Sequence, residues 1–231
     1  MFPFRESRRR FVETLLATSA AVAASLPVPG SGADASSSSG KVASAGTVLV
    51  LGDSLSAEYG LRRGSGWVER AAERLRERQP PWSLVNASIS GETTAGGRSR
   101  IESLLRRHEP QIVVVELGGN DALRGLDLRS TEANLDAIVG ASVRMKARVL
   151  VLGMQVPPNY GPTYADAFAA IFPRVAERHR TALVPFFLAP IAGEMRWFQP
   201  DRIHPTEDAQ PLLFDTVWPA LEPLLRASAT R

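Results

Sequence analysis

Ile112-Val113-Val114-Val115-Glu116-Leu117-Gly118-Gly119-Asn120-Asp121 carries a β-branched apolar run straight into a glycine-rich polar turn. A strand with one wet face alternates apolar and polar side chains. This run scarcely alternates, which fits a strand covered on both faces, as in parallel sheets sandwiched between helices. The same rhythm continues outward. Upstream, Thr47–Leu51 and Ser83–Asn86 read as strands, with helices at Trp67–Arg78 and Arg98–His108 between successive strands. Downstream come a helix at Thr131–Lys146, a strand at Val149–Leu152, a helix at Thr163–Arg180, a strand at Ala182–Phe187 and a final helix at Thr206–Arg226. Regular strand–helix alternation builds βαβ units. The expected class is α/β, with a five-stranded, doubly wound parallel sheet.

The 231 residues suit one domain, and 44% hydrophobic with 22% charged residues is a globular balance. The net charge is only +3, and the one cationic run is Arg8-Arg9-Arg10, so nucleic acid is not an expected partner. The absence of cysteine excludes disulfides, thiolate metal sites and a cysteine nucleophile. Residues 1–35 read as a cleavable, twin-arginine-like signal. Ser7-Arg8-Arg9-Arg10-Phe11-Val12 precedes the small-residue apolar run Leu15–Leu26, broken by Pro27 and Pro29. That run is about a dozen residues, too short for roughly 30 Å of hydrocarbon, so no stable membrane anchor is expected. Ala33-Asp34-Ala35 and Ala43-Ser44-Ala45 both fit a cleavage pattern. Residues 36–46 read as a flexible linker and 47–231 as the folded domain, located in the periplasm or secreted.

Loops leaving the strands of such a sheet share one edge, and ligands bind there near the point where strand order reverses. The first strand leads into Gly52-Asp53-Ser54-Leu55-Ser56, where Gly52 lets the backbone bend and Ser54 can project as a nucleophile. A serine capping a short helix is an equally good reading of that segment alone. Ser56 stands where a G-x-S-x-G elbow has its second glycine, so the segment is not that motif. The loop after the second strand offers the unobstructed N–H of Gly91, and the loop after the third offers the Asn120 carboxamide. With the Ser54 N–H, these are three donors for the charge that grows on a carbonyl oxygen under attack. His108 and His179 sit at helix ends on the opposite edge. His204 alone lies on the active edge, in Asp201-Arg202-Ile203-His204-Pro205. A serine hydroxyl needs a base oriented by a third group, and Asp201 three residues before His204 can hold the imidazole while its other nitrogen faces Ser54.

Taken in order, Gly52-Asp53-Ser54-Leu55-Ser56, Gly91, Gly118-Gly119-Asn120-Asp121 and Asp201-x-x-His204-Pro205 resemble the four blocks of the SGNH (GDSL) hydrolase family. The resemblance runs from Val48 to about Leu225. Pro158-Asn159-Tyr160-Gly161 and Asp208-Ala209-Gln210-Pro211 are similar to the bacterial periplasmic branch described as thioesterase I, lysophospholipase or arylesterase. The resemblance implies a three-layer α/β/α flavodoxin-like fold and a serine esterase acting on aryl esters, thioesters and lysophospholipids. It assigns Ser54 as nucleophile and first oxyanion donor, Gly91 and Asn120 as the other donors, and Asp201 and His204 as the rest of a triad. No cofactor or metal is implied, and the partners are an acyl ester or lipid substrate, with the protein a monomer. Leu55, Val156, Pro157 and Ile203 are candidates for an acyl groove. Two other readings stay open: a carbohydrate acetyl esterase of the same family, and a metal-dependent phosphoesterase using Asp53, Asn120, Asp121 and His204. A binding module without turnover is the third.

Overall fold

The computed structural model describes residues 44–226. The expected signal segment, residues 36–43 of the expected linker and residues 227–231 lie outside the described residues. The strands are β1 (Gly46–Gly52), β2 (Trp82–Asn86), β3 (Ile112–Glu116), β4 (Arg148–Leu152) and β5 (Ala182–Val184). All pairings are parallel, in the order β2-β1-β3-β4-β5. The helices are α1 (Trp67–Arg76), α2 (Thr94–His108), α3 (Gly119–Leu123), α4 (Leu128–Arg144), α5 (Pro162–Ala169), α6 (Ile171–His179) and α7 (Gln210–Arg226).

α1 and α7 pack on each other over one face of the sheet, and α2, α4 and α6 form a second packed layer. Between them Val48–Leu51 and Ile112–Val115 are wholly buried. Burial of a valine or isoleucine side chain contributes about 1.5–3 kcal/mol, so this apolar seam holds the sheet between its layers. Strand order reverses between β1 and β3, and their register sets Gly52 opposite Glu116. The turns that follow, bearing Ser54 and Asn120, therefore leave the sheet as neighbours at its topological switch point.

The sequence-based boundaries shift where proline or glycine intervenes. β5 stops at Val184 because Pro185 has no N–H to continue the ladder. The expected helix Thr163–Arg180 is two helices that break at Ala170, since Pro173 lacks an N–H and its ring crowds the carbonyl of Ala169. α2 begins at Thr94 rather than Arg98, with the Thr93 hydroxyl accepting from the Gly96 amide. Gly96 and Gly97 lower the local propensity, yet Gly97 is required: a Cβ there would lie 2.4 Å from Leu117. The last helix opens with a 3₁₀ turn at Glu207–Ala209. His179 lies 2.8 Å from Asp136 of α4, tying α6 to α4 far from the site.

Candidate active site

Ser54 sits in the tight turn that follows β1, only 9% exposed. Its Oγ is 2.9 Å from His204 Nε2, and His204 Nδ1 is 2.6 Å from Asp201 Oδ2. The other Asp201 oxygen accepts from the Ile203 amide at 2.9 Å and the His204 amide at 3.0 Å. Partial burial would raise the Asp201 carboxyl. The two amides and the imidazole outweigh it and bring the carboxyl down to about 2. Asp201 is therefore ionised at neutral pH and acceptor-only, so Nδ1 of His204 must carry the proton and Nε2 is left to accept from Ser54.

His204 arrives on the long excursion between β5 and α7. Phe187 anchors its start edge-on against Trp67, with centroids 5.5 Å apart. Near its end the Gln199 amide donates to the His204 carbonyl, and the Thr206 amide donates to the Trp197 carbonyl, each at 2.7 Å. The Gln199 side chain donates to the carbonyls of Tyr59 and Pro205. The Tyr59 ring lies 4.3 Å from the imidazole. These contacts draw the excursion back from the sheet edge to the β1 turn.

Gly91 has φ of +78°, a backbone shape that suits glycine. The Ile89 amide donates to the Gly52 carbonyl, setting the Gly91 loop beside the β1 turn, and Arg124 donates to the Gly91 carbonyl at 2.9 Å. Arg100 pairs with Glu92 and donates to the Ala87 carbonyl, fixing the other side of that loop. Asn120 is the second residue of α3, and its carboxamide donates to Asp53 at 2.9 Å. Among the described residues the Ser54 and Gly91 amides make no internal hydrogen bond, so both remain available as donors.

Two acidic residues lie beneath the turn: Asp53, which the phosphoesterase reading offers to a metal, and Glu116, which escapes a reading based on catalytic motifs. Asp53 is 2% exposed and Glu116 is fully buried. Burial pushes the Asp53 carboxyl up to about 6, and burial together with the Asp53 charge pushes Glu116 well above its usual range. The one signal in the sequence is a lone acid inside a run that reads as covered on both faces. Gly52 is explained by the same feature. It has an ordinary φ, and a Cβ on it would meet Glu116 and Ser56 at 2.8 Å, so close approach rather than bending requires glycine. Tyr59 also escapes the sequence, because an aromatic residue five positions past Ser54 has no motif to mark it.

The arrangement does not bring together the four residues of the alternative, metal-dependent reading. Asp121 accepts from the Thr94 amide and hydroxyl at 2.8 and 2.5 Å, Asp53 is engaged by Asn120, and His204 by Asp201 and Ser54. Asp121 thus ties α3 to the start of α2 rather than joining His204. Among the groove candidates, Leu55 is half-buried and Pro157 and Ile203 are exposed, whereas Val156 belongs to the core.

Residues 50–210 match the model of the GDSL-like Lipase/Acylhydrolase family. Esterase TesA of Pseudomonas aeruginosa is 48% identical over 183 residues, covering 79% of this chain and 91% of that protein. Thioesterase 1/protease 1/lysophospholipase L1 of Escherichia coli K12 is 40% identical over 185 residues, covering 80% and 88%. The crystal structure of TesA superposes with a TM-score of 0.75 at 47% identity, covering 77% of this chain and 99% of that one.

Proposed function

The chain belongs to the GDSL-like lipase/acylhydrolase family and hydrolyses carboxylic esters, and from that premise we propose that it does so through an acyl intermediate on Ser54. His204 Nε2 takes the Ser54 proton as Oγ attacks the carbonyl carbon. The oxyanion then settles against the N–H groups of Ser54 and Gly91 and the Asn120 carboxamide. The imidazolium, stabilised by ionised Asp201, passes its proton to the departing oxygen or sulfur. Water, deprotonated by the same histidine, releases the acid. The observation that carries this reading is the relay from Ser54 Oγ to His204 Nε2 at 2.9 Å and from Nδ1 to Asp201 at 2.6 Å, formed by residues 150 positions apart.

Aryl esters, acyl thioesters and lysophospholipids are the proposed substrates, on the strength of the names thioesterase and lysophospholipase of the Escherichia coli relative and of an arylesterase of Vibrio mimicus, 38% identical over 170 residues. The paired arginines before an apolar run support export to the periplasm or beyond. No helix among the described residues is long and apolar enough to cross a membrane. All proposed triad and donor groups lie on one chain, so the proposed reaction calls on no residue of a second copy.

Ser54→Ala tests the assignment. Turnover of an aryl ester should fall by about 10⁵-fold or more, and labelling by a fluorophosphonate should vanish, with circular dichroism unchanged. Labelling that persists in the Ser54→Ala protein removes Ser54 from the role.

A further inference from the structure

Asp53 and Glu116 meet under the nucleophile turn, where β1 and β3 end side by side. Glu116 Oε2 accepts from the Ser56 hydroxyl at 2.8 Å and the Asp53 amide at 3.3 Å, while its Oε1 is buried and receives no donor among the described residues. Asp53 accepts from the Leu55 amide at 3.0 Å and the Asn120 carboxamide at 2.9 Å. The groups around the pair are Ser56, Asn120 and, beyond Asp53, His204. Neither acid has an ion-pair partner among the described residues. Two buried carboxylates without a cation cannot both stay charged, so the pair must keep a proton. A protonated Glu116 can donate to Asp53, which leaves Asp53 anionic and a strong acceptor for Asn120.

We propose that Glu116 is a positioning residue, holding Asp53 by a shared proton so that Asp53 fixes the Asn120 carboxamide as an oxyanion donor. One Nδ2 hydrogen of Asn120 is spent on Asp53, which sets the direction of the other. The donor is thereby oriented before substrate arrives, rather than at the cost of ordering it in the transition state. The upward displacement of both carboxyls agrees with a retained proton. The inference rests on the proposed oxyanion role of Asn120.

The test is a double-mutant cycle on kcat for an aryl ester. Glu116→Met keeps the length and volume of the side chain but removes the donor. It should lower kcat by about 10-fold with little change in KM and, by leaving the Ser56 hydroxyl and the Asp53 amide without their acceptor, lower stability as well, while Glu116→Gln, which still donates and accepts, recovers most of the rate. Asn120→Ala alone should lower kcat by about 100-fold or more, and adding Glu116→Met to it should lower kcat no further. A full, independent loss in the Asn120→Ala background, or a Glu116→Gln variant as slow as Glu116→Met, overturns the proposal. An Asn120→Ala variant with parental kcat instead overturns the oxyanion reading beneath it. Should the Glu116→Met variant not fold, infrared difference spectra decide. The parent minus Glu116→Gln spectrum at neutral pH should show a protonated carboxyl C=O band, and its absence overturns the shared proton.

Discussion

Asp53 and Asp201 are the same side chain serving the same cleft, and the protein treats them in opposite ways. Asp53 lies in the sheet-anchored half, 2% exposed, with a second acid beside it; its carboxyl is pushed up by burial. Asp201 lies on the loop-borne half, exposed, and three donations from its own turn pull its carboxyl down to about 2. The difference separates two ways of orienting a reacting group. The proposed nucleophile turn and the Asn120 carboxamide are held from below by the buried hydrogen bonds of Asp53 and Glu116. The proposed base is aimed from the side by a tight turn on a surface excursion, where water screens the charges and stability depends little on them.

The sharpest break of this contrast is to remove groups from the loop half. His204→Ala should cost about 10⁵-fold in kcat, comparable to losing Ser54, because the two act as one unit. Asp201→Asn should cost less, about 10³ to 10⁴-fold, since the imidazole remains but loses the partner that fixes its tautomer. Steady-state kinetics on one aryl ester rank them. If Asp201→Asn proves the more damaging, the aspartate does more than orient, and the loop half is not a passive arm.

The stability consequences have opposite signs. For Asp53 the folded state holds the proton more tightly than the unfolded chain, at about 6 against the usual 3.8. Its contribution is therefore favourable below 3.8 and is lost as pH rises through 6. Measured against the parent, Asp53→Asn should therefore fare better at pH 7 than at about pH 3.5, on top of the pH-independent loss from setting an NH2 group against the Leu55 and Asn120 donors. For Asp201 the folded value is depressed, so its contribution is present above 3.8 and lost as pH falls towards 2. Asp201→Asn should accordingly lower Tm slightly at pH 7, with the exposed position keeping the change small. Thermal melts of both variants at the two pH values check the signs, and an Asp53→Asn protein whose Tm difference from the parent is the same at both pH values would refute the buried-charge account.

The same contrast explains what could be read without coordinates. The five strands, their parallel order and the edge that carries the chemistry follow from runs such as Val48–Leu51 and Ile112–Val115, whose burial leaves periodicity no second meaning. The proposed triad can be drawn from the sequence because Asp201 and His204 are close in sequence and Ser54 opens a strand-end turn. The unread parts depend on tertiary neighbours. The break before Ile171 hangs on one proline within a good helical pattern, and α3 is a single turn starting from Gly118 at φ +117°. Val156 reads as a groove residue by its place in a loop, yet the loop folds it into the core. The Asp53–Glu116 pair joins residues 63 positions apart, and only the β1–β3 register brings them together.

Tyr59 is one of the places where the two halves touch outside the hydrogen-bonded relay, and it sets the smallest effect. Its ring, from the turn after Ser54, lies 4.3 Å from the His204 imidazole at 36°, while its carbonyl accepts from Gln199 of the excursion. The carbonyl contact survives any side-chain change, so substitution isolates the ring. An aromatic contact of this kind contributes about 0.5–1.5 kcal/mol, so Tyr59→Ala should lower kcat/KM by about 3- to 10-fold. Tyr59→Phe keeps the ring and should stay close to the parent. The phenolic oxygen has no hydrogen-bond partner among the described residues, so its removal leaves no orphaned group. Equal losses in Tyr59→Phe and Tyr59→Ala would mean that the hydroxyl meets the substrate. Unchanged activity in Tyr59→Ala would mean that the excursion's backbone contacts alone hold His204 against Ser54, so that the loop half is more rigid than its exposure implies.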